Sequence, residues 1–146
     1  MNTRYEILPD IYIGFRETKN DKMANSICKI KHLVDAENAF NFINVSNSYN
    51  NPSFKKNMEK YELEKSVEVL INTAKSINTN TKNNEATLIV CNTVQQFSPS
   101  VVVAYLMIYG KLSLIDSVKV IKSKKENVFT GGLLLSTALS RISSRV

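Results

Sequence analysis

The sequence predicts a single compact α/β domain over residues 1–146, with a central, mostly parallel sheet flanked by helices. Three observations carry this. The stretch from Glu85 to Tyr109, EATLIVCNTVQQFSPSVVVAYLMIY, reads as an apolar strand, a polar loop opened by a cysteine, and an apolar helix opened by Ser-Pro-Ser. A long amphipathic helical pattern precedes it and bridges strand to strand, the kind of crossover that parallel pairing needs. A chain of 146 residues with 43% hydrophobic content is large enough for one sizeable core without disulfides or metal.

Tyr5 to Ile7 and Ile11 to Ile13, with Leu8, Pro9 and Asp10 between them, read as two short strands around a tight turn. Phe40 to Val45 alternates as a strand does and runs into Ser46 to Pro52, a loop rich in turn-forming residues. From Phe54 to Ile77, Leu63, Val67, Leu70, Ile71, Ala74 and Ile77 recur at helical spacing, and Asn78 to Asn84 reads as a polar linker. Leu88 to Val90, after Thr87, form the apolar strand that delivers Cys91 to its loop. Ser98 is placed to cap the following helix, with Pro99 at its first position. Ser113 similarly stands ahead of Leu114, Ile115, Val118, Val120 and Ile121, a further amphipathic helix.

Composition narrows the function classes. Cys28 and Cys91 make no metal-ligand spacing and His32 is the sole histidine, so no metal site and no cofactor is expected. Two cysteines without an apolar leader in MNTRYEILPD point to reduced thiols in an intracellular protein, cytoplasmic or nuclear. The longest apolar run, Val101 to Met107, is far shorter than a membrane span, so no membrane partner is expected. The net charge of +6 is spread along the chain, with one denser stretch at Lys119, Lys122, Lys124 and Lys125. That stretch reads as a solvated helix face or, alternatively, as a contact for an acidic or phosphorylated partner. Aromatic residues do not interleave with the basic ones, which speaks against nucleic acid.

A strand–loop–helix unit of this kind forms a cradle for an anion, because loop N–H groups and the helix N-terminus point at whatever lies over the cysteine. The same residues resemble the phosphate-binding loop of the dual-specificity branch of the cysteine phosphatases, whose pattern is His-Cys, five residues, Arg, then Ser or Thr. Cys91 stands at the nucleophile position, and the remnant runs Cys91, Asn92, Thr93, Val94, Gln95, Gln96, Phe97, Ser98. VVVAYLM, Val101 to Met107, resembles the family's helix. The phrase ILPDIYIG resembles the family's opening hairpin, which implies a helix over Lys19 to Ser26 and a strand over Ile30 to Asp35. KIKHLVDA resembles its second sheet strand, with His32 read as a structural or surface residue. Thr130, Gly131, Gly132 and Leu133 fall where relatives carry Asn-x-Gly-Phe, ahead of a last helix from Leu133 to Ile142.

Against that frame the departures are specific. Phe97 takes the arginine position, Val90 that of the preceding His, and Val94 that of a glycine. Matching FINVSN to the family puts Asn47 at the general-acid position, and no Asp or Glu occurs between Asn38 and Met58. The resemblance with these departures implies a catalytically inactive phosphatase-like protein, a pseudophosphatase, acting as a protein-interaction or scaffold module. Its partner would be a phosphoprotein, a kinase or an active phosphatase. Two alternatives stand beside it: a weak or atypical phosphatase using Cys91 with cationic help from elsewhere in the fold, and a structural homodimer in which the loop has no role. Cys91 itself is read either as a buried, inert thiol or as a retained phosphate-site or redox residue.

Overall fold

The computed structural model describes residues 4–43, 59–92 and 96–146. Strands β1 (Arg4–Leu8) and β2 (Ile11–Phe15) form the expected hairpin, antiparallel, with Leu8 opposite Ile11 and Asp10 at φ 67° closing the turn. A left-handed residue suits Asp because its short side chain tolerates that region. Strand β3 spans Ile30–Asp35 and β4 spans Ala86–Cys91, giving a four-stranded sheet in the order β1-β2-β4-β3. β4 pairs in parallel with both β2 and β3. All six residues of β4 are buried, which is why it reads as a mostly apolar stretch, with Thr87 the one polar residue, rather than as an alternation.

Alternation across the strands sends Ile11, Ile13, Ile89 and Cys91 to one face, where they join the main core with helices α3 (Lys60–Lys82), α4 (Phe97–Ile108), α5 (Leu114–Lys124) and α6 (Ser136–Ser143). The opposite face carries Tyr12, Leu88 and Leu33, in register across the sheet. No helix among the described residues is long and apolar enough to cross a membrane.

Several boundaries differ from the sequence expectation. The first helical segment is broken: a 3-10 stretch, Arg16–Asn20, precedes α1 (Lys22–Ile27), because Asp21 leaves helical geometry and caps α1 through Ala24 N–H at 3.1 Å. The strand expected over Phe40 to Val45 is absent from its described part. Asp35 caps a single turn, α2 (Ala36–Ala39), through Asn38 N–H, and residues 40–43 form a turn. The alternation of Phe40 and Phe42 serves a ring cluster, with centroids 6.2 Å apart, instead of a sheet. Residues 44 and 45 lie outside the described part of the chain, as does the stretch 54–58 assigned to the long helix.

α3 runs to Lys82, through most of the expected linker. Thr79 and Thr81 hydroxyls donate to the carbonyls of Lys75 and Ile77, and Asn80 Nδ2 donates to Thr87 Oγ1 at 3.0 Å, so this polar run is a helix end tied to the start of β4. α4 begins at Phe97, one residue before the expected cap. The last helix begins at Ser136 instead of Leu133, and Leu134 and Leu135 are buried in the turn before it. Ser113 does cap α5, accepting from Asp116 N–H at 3.0 Å.

Candidate functional site

β4 carries Cys91 to the mouth of the loop, opposite Phe15 of β2, and α4 leaves the loop at Phe97. This is the strand–loop–helix junction that the sequence describes. Cys91 is fully buried, and burial pushes its thiol up to about 11 from an ordinary 9.0. Opposing that, the Ser98 hydroxyl and the N–H groups of Ser98 and Phe97 favour thiolate, while the Glu37 carboxylate adds to the rise. Ser98 is buried inside the first turn of α4 and does not cap it; the N-cap position is Gln96.

Gln96 is a tether. Its Nε2 donates to the Gly132 carbonyl and its Oε1 accepts from Leu134 N–H, both at 2.9 Å, so the wholly buried amide is satisfied at both ends. Gly131 and Gly132 adopt φ 86° and 117° there, a conformation that side chains resist, and this presents the 132 carbonyl to Gln96. The sequence places Gln96 in the loop remnant but offers no signal for this long-range role.

Phe97, which the sequence resemblance sets against the family's arginine, is 1% exposed and stacks on Phe40 with centroids 5.0 Å apart and planes 12° apart. A stacked pair of rings thus lies at the start of α4. Both rings line a cleft of about 260 Å³ together with Arg16, Glu37, Asn38, Asn41 and Ile43. Arg16 Nε donates to Asp35 Oδ2 at 2.9 Å, and Lys19 Nζ lies 3.6 Å from the same oxygen. Burial would raise the Asp35 carboxyl, but the Asn38 N–H and the Arg16 guanidinium outweigh it and hold the group below its ordinary value. Asn92 N–H donates to Glu37 Oε1 at 2.9 Å. Arg16, Glu37 and Phe40 carry no motif in the sequence that would single them out.

Of the other residues of the loop remnant, Thr93, Val94 and Gln95 lie outside the described part of the chain, as does Asn47. His32 is remote from Cys91, near the opposite end of β4, where Nε2 sits 2.8 Å from Glu85 Oε1. That bond holds the Glu85 carboxyl below its ordinary value. Lys119, Lys122 and Lys124 are exposed along α5, while Lys125 lies over the Tyr5 ring at 4.7 Å. No group of three metal-ligating side chains occurs among the described residues.

A parallel sheet with one antiparallel edge, a buried cysteine ending its central strand and an apolar helix leaving the loop define the dual-specificity phosphatase fold, and comparison with solved structures agrees. A leucine-rich repeat and phosphatase domain containing protein from Entamoeba histolytica is similar with a TM-score of 0.72 and 15% identity, over 99% of this chain and 92% of that one. Human DUSP28 gives a TM-score of 0.70 at 14% identity, over 97% and 93%. The human tyrosine phosphatase-like serine/threonine/tyrosine-interacting protein gives 0.72 at 16% identity, over 99% and 98%. No protein-family model matches the sequence, and no curated protein matches it. At these identities the likeness establishes the fold, and the site has to be argued from its own residues.

Proposed function

We propose that the chain is a catalytically inactive phosphatase-like domain, a pseudophosphatase, that acts by binding a protein partner. The observation that carries this is Phe97 at the arginine position, buried and stacked on Phe40. Phosphoryl transfer of this type needs a thiolate, a bidentate cation on the phosphoryl oxygens and an acid for the leaving group. Cys91 supplies only the sulfur, and its thiol is raised to about 11. Losing the transition-state stabiliser costs about 10²–10³ in rate and losing the general acid about 10²–10⁴, so together, if independent, roughly 10⁴–10⁷. Asn47 at the acid position is an amide and supplies no proton.

The partner proposed is a phosphoprotein, a kinase or an active phosphatase, met on surfaces outside the cleft, with the exposed lysines of α5 as the candidate contact. Hydrolysis of a small aryl phosphate by the wild-type protein and by Cys91→Ser tests the reading. Equal rates are expected, and Cys91-dependent turnover well above the variant's background would replace this reading with the next one.

That second reading, an atypical phosphatase, is favoured by one feature. Arg16 opens onto the same cleft as Phe97 and, with only its Nε engaged by Asp35, retains terminal N–H groups for a phosphoryl oxygen. Arg16→Met would abolish whatever turnover such an enzyme has.

A further inference from the structure

The described loop amides divide between two acceptors. The N–H groups of Phe97 and Ser98 serve the Cys91 sulfur, and the N–H of Asn92 serves Glu37 Oε1 at 2.9 Å. A carboxylate therefore sits on the first backbone donor past the cysteine, and an anion seeking that donor would have to displace it.

The surrounding structure holds Glu37 there. α2 is fixed in front by Asp35, which caps it through Asn38 N–H at 3.1 Å and is itself paired with Arg16 and Lys19. Behind, Phe40 follows the helix directly and stacks on Phe97. Ala36, between these anchors, is fully buried. Glu37 lies inside this clamped turn and faces the cleft that Phe97 and Arg16 also line. Arg16 only partly offsets its charge, because the guanidinium is paired with Asp35.

We propose that Glu37 is a built-in anion at the Asn92 amide, excluding inorganic phosphate and phosphoester groups from that donor next to Cys91 by occupying it and placing a negative charge there. This rests on the pseudophosphatase reading and deepens it by naming what excludes the phosphoryl group. The two fail separately: turnover by the wild-type protein decides the first, and anion affinity of charge-neutral variants decides the second.

The test titrates inorganic phosphate into the ¹⁵N-labelled full chain and follows the Asn92 and Ser98 amide resonances. Glu37→Gln keeps an acceptor oxygen but removes the charge, and is expected to bind phosphate at least about tenfold more tightly than wild type, equivalent to about 1.4 kcal/mol. Glu37→Ala also frees the amide and is expected to gain more. Glu68→Gln, an exposed position on α3, changes net charge equally and is expected to leave affinity unchanged. The proposal is overturned if folded Glu37→Gln and Glu37→Ala bind no better than wild type, or if Glu68→Gln gains as much as they do. Should either Glu37 variant fold poorly, Glu37→Asp withdraws the carboxylate by one methylene and decides the same question. A shifted Asn92 resonance with an intermediate gain supports the proposal, and a shifted resonance without gain overturns it.

Discussion

Truncating Phe97 to Ala removes a ring that is 1% exposed and packed face to face on Phe40, so the cost is that of a large core deletion, about 3–5 kcal/mol. Chemical denaturation of Phe97→Ala checks this, and a loss below about 1 kcal/mol would mean that the stack is not part of the core. Cys91 offers a second test at the same scale. Its folded thiol is raised to about 11 against an ordinary 9.0. Between those values the unfolded chain releases the proton and the folded chain keeps it. Stability is therefore fully present below about pH 9 and falls as pH rises through about 11, by roughly 3 kcal/mol. Denaturation of the wild type and of Cys91→Ala across that range is expected to show a steeper alkaline decline in the wild type. Parallel profiles would contradict the buried, protonated thiol.

Gln96 joins two elements, the start of α4 and the turn before α6, through paired bonds to Gly132 and Leu134. Gln96→Ala would remove the partner of the exposed Gly132 carbonyl, which water can replace, and leave the buried Leu134 N–H unsatisfied, at about 1–3 kcal/mol for that group. Its denaturant midpoint should fall accordingly, while the far-ultraviolet spectrum keeps its helix content. At this scale the sequence was legible where one element explains its own pattern. The β1–β2 hairpin follows from Pro9 and Asp10, β4 from the apolar run Leu88 to Val90 after Thr87, and the start of α5 from Ser113. It misled where a side chain answered a distant partner. Ser98 resembles a cap but lies buried inside the first turn of α4, and Phe40 and Phe42 alternate as a strand would but belong to a ring cluster. The Asn-Thr run after Ile77 looked like a linker because polar composition cannot separate a loop from an exposed helix end whose threonines bond to their own backbone.

For the whole molecule, the mostly parallel sheet and the placing of Cys91 at a strand–helix junction were legible because periodicity and turn chemistry report elements in order. The contacts that shape the cleft were not. Asn92 with Glu37 and Phe97 with Phe40 pair residues far apart in the chain, and no single-sequence pattern links them. On the pseudophosphatase proposal, that geometry also argues that one substitution does not create phosphatase turnover. Phe97→Arg would put a guanidinium where a ring stacks on Phe40, in the cleft that Glu37 also lines. It is expected to destabilise the fold and to leave aryl phosphate turnover at background. Turnover comparable to that of an active phosphatase from this single change would refute the account of the cleft.

The central claim, that the sulfur is in place but the cleft does not transfer a phosphoryl group to it, is met most directly by looking for the covalent intermediate. The full chain is mixed with a large excess of an aryl phosphate, quenched in conditions that preserve phosphocysteine, and weighed by intact-protein mass spectrometry beside Cys91→Ser. The account predicts no phosphoryl adduct on either protein. An adduct on the wild type that is absent from Cys91→Ser would show that Cys91 still attacks phosphorus, and would contradict it.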